Sequence, residues 1–475
     1  MIGLTLAEIA SATRGSLVLD GTGATEETVV DGLSTTDSRE VVDGTIFYAK
    51  RGEFTDGHLF VPQAVDAGAS LIVVDHALDT AEWSRPVPQL VVEDTVVALG
   101  DLATEVIARV RALGLLKIVG VTGSNGKTTT KNLLREILEP VGPTIAPRAS
   151  FNNEVGAPVT MLEVTEQTEF LVAEMGASGI GEIARLVRMA RPDIGIVLKV
   201  GLAHAGEFGG IEATLAAKTE MVSDLLDSDV AILNLDDPRV ASMADKTVAR
   251  VLWFGLDERA DVRATGIVSS ARGTSFELHL PNGESRAVQF RVLGEHHVMN
   301  ALAAAAAAHT LDVGIDAIVT GLQNVTRAER WRMEVMGGAR GVTVINDAYN
   351  ASPDSMAAAL KTLAQIAEPG GRTVAVLGEM SELGEFSGEE HDRIGLLAVR
   401  LNIDQLIVVG PAARRMHIST INEGSWDGES KYFDTPDAAF EHLQGSLGAG
   451  DTVLVKSSNS AGLRFLGDRL GELFS

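Results

Sequence analysis

The stretch Thr122-Gly123-Ser124-Asn125-Gly126-Lys127-Thr128-Thr129 decides the fold of this 475-residue chain. The apolar run 118–121 before it is typical of a buried strand, and residues 130–138 after it carry leucine and isoleucine at helical spacing. A strand followed by a glycine-rich turn and a helix is the usual form of a phosphate-binding loop. Its backbone N–H groups and its lysine contact the phosphate oxygens, and its threonine hydroxyl can hold Mg²⁺. The strict pattern has glycine where Val121 stands, so the loop is a variant. It predicts a nucleoside triphosphate site; the alternative is an ordinary strand–helix turn.

The composition is that of a globular protein with about three domains, on a prior of roughly 150 residues each. Hydrophobic residues make up 45% and charged residues 22% of the chain. No apolar run is long enough to span a bilayer, and residues 1–5 show no signal-peptide pattern. The absence of cysteine excludes disulfides and thiol catalysis and fits a reducing compartment. We therefore expect a cytoplasmic protein without a membrane span.

The formal net charge of −26 argues against a nucleic-acid partner, which would require a dense basic face. Salt screens charges over roughly 8 Å, so local cations can still bind an anionic nucleotide. Five basic residues close to glycine-rich or motif-like segments are candidates for this role: Arg39, Arg51, Lys127, Arg332 and Lys456. Any one of them alone is more typical of a solvated surface charge.

The hydrophobic pattern predicts an α/β protein of three domains. Residues 1–94 form a small α/β domain, and residues 95–325 form a central domain that contains the phosphate loop, a parallel sheet and an antiparallel hairpin at 262–292. Residues 326–475 alternate strand and helix again and predict a Rossmann-like domain. Its candidate site residues, Asp347, Asn350 and Lys456, follow predicted strands, where ligands bind in open α/β sheets.

Three further polar residues of the central domain carry potential chemistry. Glu174 ends a predicted strand, where a carboxylate beside a phosphate loop can hold Mg²⁺. His204 follows another strand, and Lys218 lies among small residues on a predicted helix. A partly buried lysine can react with CO₂ to give a carbamate that acts as a metal ligand. Each residue alone has an ordinary alternative: a strand-end acid, a packed histidine or a solvated helix lysine.

Taken together, the motifs resemble those of the Mur ligase family, the ATP-dependent amide-forming enzymes of peptidoglycan precursor synthesis. The loop 122–128 matches the family pattern T-G-[ST]-N-G-K-[ST]. The segment 152–158 resembles N-N-x-x-G-x-P, and the segment 201–204 resembles G-x-A-H. The segment 294–301 resembles G-x-H-N-x-x-N-A, which contacts the adenine end of ATP. The matches run in order over essentially the whole chain.

The resemblance implies a set of site residues and cofactors. It implies ATP contacts from Gly123, Ser124, Asn125, Gly126, Lys127, Thr128, Thr129, Asn300 and Arg332, with Arg330 as a competitor for the linker arginine. Two Mg²⁺ ions are implied, one held by Thr128 and Glu174 and the other by His204 and carbamylated Lys218. The implied catalytic residues are Lys127, Glu174, His204 and Lys218.

Within the family, the segment 346–356 resembles the D-D-x-Y-N-A-N-P-x-S-M segment of one member. That member joins a UDP-N-acetylmuramoyl tripeptide to D-alanyl-D-alanine through an acyl phosphate. The resemblance implies substrate contacts from Ser38, Arg39, Asn152, Asn153, Asp347, Asn350 and Lys456. We also expect a monomer whose domains close over the site.

Three alternatives remain open. The member that adds the third amino acid would show an Asp-Asn-Pro-Arg motif in the last domain; the similar segment Asp236–Arg239 lies in the central domain, where we predict a turn. A folylpolyglutamate synthase has a similar loop. The third alternative is a nucleotide-gated interaction protein without catalysis. Four places that depart from the family pattern favour it: Lys199, His297, Asn346 and the segment 457–459.

Overall fold

A computed structural model describes residues 1–52, 55–81, 83–147, 150–201, 210–270, 273–325, 330–338, 340–367, 370–423 and 429–475. The described chain folds into three successive groups of strands, each covered by helices. None of the described helices combines the length and the apolar character needed to cross a membrane.

The first group contains a two-stranded and a five-stranded sheet. Its strands are β1 (Leu4–Thr5), β2 (Ser16–Val18), β3 (Val29–Val30), β4 (Ser34–Thr35), β5 (Ile46–Tyr48), β6 (Leu71–Val74) and β7 (Gln89–Val91). The five-stranded sheet has the order β2-β7-β6-β5-β4, and only β2 runs antiparallel to its neighbour. Its helices are α1 (Leu6–Thr13) and α2 (Val61–Asp66), and α3 (Thr95–Ala112) leads to the next group.

The central group forms one nine-stranded sheet of order β16-β15-β14-β13-β12-β11-β8-β10-β9. Its strands are β8 (Lys117–Thr122), β9 (Thr144–Ile145), β10 (Phe170–Glu174), β11 (Ile194–Val197), β12 (Val230–Asn234), β13 (Arg250–Gly255), β14 (Val262–Ser270), β15 (Gly273–His279) and β16 (Ser285–Phe290). All strands from β8 to β14 run parallel to one another. The expected antiparallel pairing at 262–292 is present, but β14 also pairs with β13, so these strands extend the central sheet.

Helices cover both faces of this sheet. They are α4 (Lys127–Leu138), α5 (Gly156–Met161), α6 (Glu182–Ala190), α7 (Ile211–Ser223), α8 (Pro238–Ala241), α9 (Glu295–Thr310) and α10 (Ile315–Asn324). Apart from Lys117 at the start of β8, the strands β8, β10, β11 and β12 are buried, as expected for parallel strands between two helical layers. In α9, the residues from Ala303 to Ala308 are 0% exposed, and this helix packs against the phosphate-loop helix α4.

The third group is a six-stranded sheet of order β17-β18-β22-β19-β20-β21. Its strands are β17 (Glu334–Gly337), β18 (Thr343–Asn346), β19 (Thr373–Leu377), β20 (Gln405–Val409), β21 (Ser430–Phe433) and β22 (Thr452–Lys456). Only β17 is antiparallel to its neighbour. Its helices are α11 (Pro353–Ile366), α12 (Ser387–Arg400), α13 (Arg414–Asn422), α14 (Pro436–Ser446) and α15 (Leu463–Leu473). The α/β class and the three-part organisation predicted from the sequence are confirmed.

Candidate active site

The phosphate-binding loop joins β8 to α4. Gly126 has a φ of +87°, and a Cβ atom there would collide with the Asn300 side chain, so both the backbone and the packing require glycine. Helix α4 begins at Lys127, whose Nζ donates to the Gly123 carbonyl oxygen at 2.8 Å. Burial is the main cause that lowers the pKa of Lys127. The loop therefore combines a helix N-terminus with a lysine folded over it, which is the arrangement for binding phosphate.

Glu174 lies beside this loop because β10 pairs with β8, which places Glu174 opposite Val121. Thr128 Oγ1 donates to Glu174 Oε1 at 3.2 Å, and Asn152 Nδ2 donates to the same oxygen at 2.8 Å. Glu174 is 1% exposed, and its Oε2 atom has no hydrogen-bond partner within the described part of the chain. A buried oxygen without a partner costs about 1–3 kcal/mol. Carboxylate and hydroxyl oxygens are the ligands that Mg²⁺ prefers, so Glu174 and Thr128 fit a magnesium ion.

The C-terminal group of strands forms the opposite wall of the site. Arg332 Nη2 lies 3.4 Å from Thr128 Oγ1, and its guanidinium stacks 4.4 Å above the Tyr349 ring. Ser352 Oγ donates to Asn125 Oδ1 at 3.1 Å. These contacts bring the C-terminal group directly onto the phosphate loop, so the two groups adopt a closed arrangement.

Together the two walls enclose a cleft of about 1340 Å³. Most of the predicted site residues line it: Ser124, Asn125, Gly126, Lys127, Thr128, Thr129, Asn152, Asn153, Glu174, Asn300, Arg332, Asp347, Asn350 and Lys456. Of the two candidate linker arginines, Arg332 lines the cleft, whereas Arg330 pairs with Asp468 at 3.1 Å.

Five predicted site residues do not line the cleft or cannot be placed: Ser38, Arg39, Gly123, His204 and Lys218. Gly123 still belongs to the phosphate loop, since its carbonyl oxygen accepts from Lys127 Nζ. Ser38 and Arg39 belong to the first group of strands, where Ser38 Oγ donates to Gln63 Oε1 at 3.0 Å and Arg39 pairs with Asp37 at 2.5 Å. His204 lies outside the described residues. Lys218 is buried and does not line the cleft, but the charge of the cleft residue Lys127 acts on it.

Lys218 lies on α7 and is 2% exposed, which excludes the alternative of a solvated helix lysine. Burial, together with the nearby charge of Lys127, lowers the pKa of Lys218 to about 7. At or above neutral pH a substantial part of the amine is therefore unprotonated and able to attack CO₂. The environment of Lys218 thus suits the predicted carbamate.

Lys456 and Asp347 form a buried ion pair at the carboxyl ends of β22 and β18, with Nζ 2.6 Å from Oδ2. Lys456 Nζ also donates to the Asn350 carbonyl oxygen at 3.0 Å. The positive charge of Lys456 is therefore already paired with protein groups, the Asp347 carboxylate and the Asn350 carbonyl oxygen. A substrate carboxylate at this place would meet Lys456 together with Asp347.

Two histidines at the start of α9, His296 and His297, also line the cleft. Asn300 Nδ2 donates to His297 Nδ1 at 3.2 Å, which places the ring proton of neutral His297 on Nε2. This Nε2 atom is buried and has no hydrogen-bond partner among the described residues. Burial lowers the pKa of His296 to about 4 and that of His297 well below its ordinary value, so both rings are neutral at pH 7.

The sequence analysis missed several residues that line the cleft: Asp236, Arg239, Tyr349, Lys361 and Arg393. The turn predicted at Asp236–Arg239 is only partly right, because α8 begins at Pro238 with Asp237 as its N-cap. Asp237 Oδ2 also accepts a hydrogen bond from the Val200 N–H at 2.9 Å. Asp236 could have been predicted as a site residue, because it follows the carboxyl end of β12 and the same strand-end rule had selected Glu174.

Known protein families and structures that resemble this chain are consistent with a nucleotide-binding cleft. Three family domains match the chain: the Mur ligase family catalytic domain at residues 33–114, the Mur ligase middle domain at 121–308 and the Mur ligase glutamate ligase domain at 331–459. The fold and the cleft define a nucleotide-dependent ligase, and the chain belongs to the Mur ligase family.

Relatives over nearly the full length are more specific. The UDP-N-acetylmuramoyl-tripeptide–D-alanyl-D-alanine ligase of Mycobacterium leprae is 41% identical, with 99% of this chain and 98% of the relative covered. The crystal structure of MurF from Acinetobacter baumannii has a TM-score of 0.88 at 32% identity, covering 99% of both chains. MurF from Thermotoga maritima in complex with ADP has a TM-score of 0.79 at 28% identity, covering 94% of this chain and 97% of the other.

Proposed function

We propose that this chain joins the free carboxylate of a UDP-N-acetylmuramoyl tripeptide to the amine of D-alanyl-D-alanine, with conversion of ATP to ADP and phosphate. The closed cleft is the observation that carries the proposal. In it the phosphate loop faces the strand ends of the C-terminal group, with Arg332 reaching Thr128 across the gap. The named relatives of similar length support the same reaction.

The reaction begins with the approach of two anions. A carboxylate oxygen attacks the γ-phosphorus, ADP leaves, and an acyl phosphate forms. Two unit charges 4 Å apart repel by about 4 kcal/mol at an effective dielectric constant of about 20. Lys127, whose amine lies at the Gly123 carbonyl oxygen, and Arg332, which contacts Thr128, offset this repulsion.

Two magnesium ions, one at Thr128 and Glu174 and the other at His204 and carbamylated Lys218, would supply further positive charge beside the phosphates. The orphaned Glu174 Oε2 atom supports the first ion, and the buried amine of Lys218 supports the second. Asn152 orients Glu174 by its hydrogen bond to Oε1.

In the second half of the reaction the amine of the dipeptide attacks the acyl carbon. The C–N bond forms, phosphate leaves with the former carboxylate oxygen, and one proton is released. The strand-end residues Asp347, Asn350 and Lys456 line the cleft, which supports a role for them in positioning the acceptor. Closure of the cleft by Ser352 and Asn125 keeps water from the acyl phosphate, which would otherwise hydrolyse.

At the adenine end, His297 Nε2 carries a proton and lacks a partner in the described structure, so we assign it as a donor to a purine nitrogen. This assignment gives a role to the histidine that replaces the asparagine of the family pattern. Ser38 and Arg39 remain predictions for the UDP end of the precursor. The cytoplasmic location and the monomeric state also remain predictions.

The test is phosphate release from ATP and Mg²⁺ with a UDP-N-acetylmuramoyl tripeptide, with and without D-alanyl-D-alanine. Release that requires both substrates, with a pentapeptide product, is the expected result. Release with a dipeptide precursor and a single amino acid would instead assign the preceding step of the pathway. No release with either pair would support a non-catalytic nucleotide-binding protein.

A further inference from the structure

The residues on both sides of Arg332 have an unusual backbone. Trp331 has a φ of +60° and Met333 a φ of +50°, a left-handed conformation that side chains other than glycine rarely adopt. Such a conformation persists only where the surroundings hold it. Arg332 is the residue between them, and it alone of the three reaches the phosphate loop, at Thr128.

The segment Trp331–Met333 is held at both ends by the C-terminal group of strands. The Met333 N–H donates to Asp347 Oδ1 at 3.0 Å. At the other end the Trp331 indole Nε1 donates to both carboxylate oxygens of Asp468, each at 3.0 Å. Asp468 lies on α15, away from the cleft lining.

Asp468 has two more partners. Arg330 Nη2 lies 3.1 Å from Asp468 Oδ2, and Asn346 Nδ2 donates to Asp468 Oδ1 at 3.0 Å. The Asp468 side chain is only 15% exposed, and its bonds from Trp331 and Asn346 are partly buried, whereas the Arg330 side chain is 61% exposed. Asn346 is 0% exposed and stands where the family segment has its first aspartate. An aspartate at 346 would place a second buried carboxylate against Asp468, whereas the amide donates to it.

We propose that Asp468 is a positioning residue for the ligation. By holding Trp331 and Asn346, it fixes the left-handed segment that presents Arg332 to the phosphate loop. Asn346 and Asp468 act as a matched pair in this role. The effect of Asp468 on turnover rests on the proposed function, but its effect on the place of Arg332 does not.

The kinetic test is a double-mutant cycle between Asp468 and Arg332. Asp468→Ala should lower kcat/KM for ATP by about tenfold, equivalent to ~1.4 kcal/mol of transition-state stabilisation. In an Arg332→Ala background the same change should cost less than about twofold, because the two residues act as one unit. A purely structural role would give equal losses in both backgrounds and would overturn the proposal.

Three further variants sharpen the cycle. Trp331→Phe keeps the ring but removes the indole donor, and it should reproduce most of the loss. Asn346→Asp should also lower kcat/KM, and Asn346→Asp combined with Asp468→Asn should restore it. Arg469→Ala is the matched control on the same helix, since Arg469 pairs with Asp437 and touches none of these groups. Failure of the double exchange to restore kcat/KM would count against the matched pair.

A crystal structure of the Asp468→Ala protein provides a readout that does not depend on activity. The Arg332 guanidinium should leave its position over the Tyr349 ring. If it stays there and Trp331 keeps its backbone conformation, the proposal is wrong, whatever reaction the protein catalyses. If Arg332 moves but no substrate pair is turned over, the positioning is upheld and only the proposed function fails.

Discussion

Lys199 Nζ lies 3.4 Å from Asp354 Oδ1, which joins the loop after β11 of the central group to the first turn of α11 in the C-terminal group. Both side chains also line the cleft. Lys199 stands where the family pattern has asparagine, so this residue gives the chain an ion pair across its closed cleft.

Substitutions in the Lys199–Asp354 ion pair should affect the closure of the cleft more than the free energy of unfolding. The side chains are 46% and 35% exposed, so the pair contributes only about 0.2–1 kcal/mol. Lys199→Asp should lower kcat/KM by several-fold, and Lys199→Asp with Asp354→Lys should recover most of it. The deficit of the single variant should shrink in high salt, which screens the repulsion. A double variant no better than the single one would contradict this role.

Lys127→Ala should reduce kcat by about 100-fold or more, since it removes a cation from the transferring phosphate. Phosphate release under saturating substrates measures this. Lys117→Ala is the matched control, because Lys117 is 54% exposed at the start of β8, the strand that leads into the phosphate loop. Retention of ATP-dependent ligation by Lys127→Ala would refute the assignment of the phosphate loop.

Lys218→Ala should lose activity and regain part of it with acetate or another short-chain carboxylate, which would replace the carbamate. Lys127→Ala should gain nothing from the same addition. Because the folded pKa of Lys218 is about 7, wild-type activity should fall as the pH drops below that value and the amine becomes protonated. The same pKa lies below the ordinary 10.5, so the Lys218 contribution to stability should become more favourable between about pH 7 and 10.5. No recovery at any acetate concentration would count against the carbamate.

Glu174→Gln should raise the Mg²⁺ concentration needed for half-maximal activity, because it removes one anionic ligand. The thermal midpoint without magnesium should not fall, since the variant loses a buried charge whose Oε2 atom lacks a protein partner within the described chain. Asn152→Ala leaves the carboxylate in place and should have the smaller effect on Mg²⁺ dependence. Equal magnesium titrations for wild type and Glu174→Gln would exclude Glu174 as a ligand.

His297→Asn should make the protein less sensitive to acid. The folded pKa of His297 lies well below 6.5, so the unfolded chain binds a proton first as the pH falls, and stability decreases below about pH 6.5. The difference between the melting temperatures at pH 7 and pH 5 should therefore be smaller in the variant than in wild type. His297→Gln, which also cannot titrate, should behave the same way. An unchanged difference would contradict the buried neutral histidine.

The sequence predicted those parts of the structure that depend on local pattern. The apolar pattern predicts a strand at 170–174 and a helix at 353–366. The structure has both with these bounds, because an apolar run marks the first and a proline after a capping serine marks the start of the second. Strand β21 was missed, since its four residues are half polar and gain their place only by pairing with β20.

Site residues that directly follow a strand could be predicted from the sequence. Contacts between residues that are distant in the sequence could not. Glu174 and Lys456 satisfied the strand-end rule, whereas the hydrogen bond from Ser352 to Asn125 forms only where the C-terminal group meets the phosphate loop. The partners of Lys456 were equally hidden, because its ion pair with Asp347 joins strands more than a hundred residues apart. Periodicity and motif spacing contain no information on such contacts.

The close approach of Gly126 to Asn300 fixes the phosphate loop against the helix that begins at Glu295. A side chain at position 126 would displace Asn300, which also holds the His297 ring by its hydrogen bond to Nδ1. The conformation of the phosphate loop and the orientation of the His297 ring are therefore coupled through a single glycine.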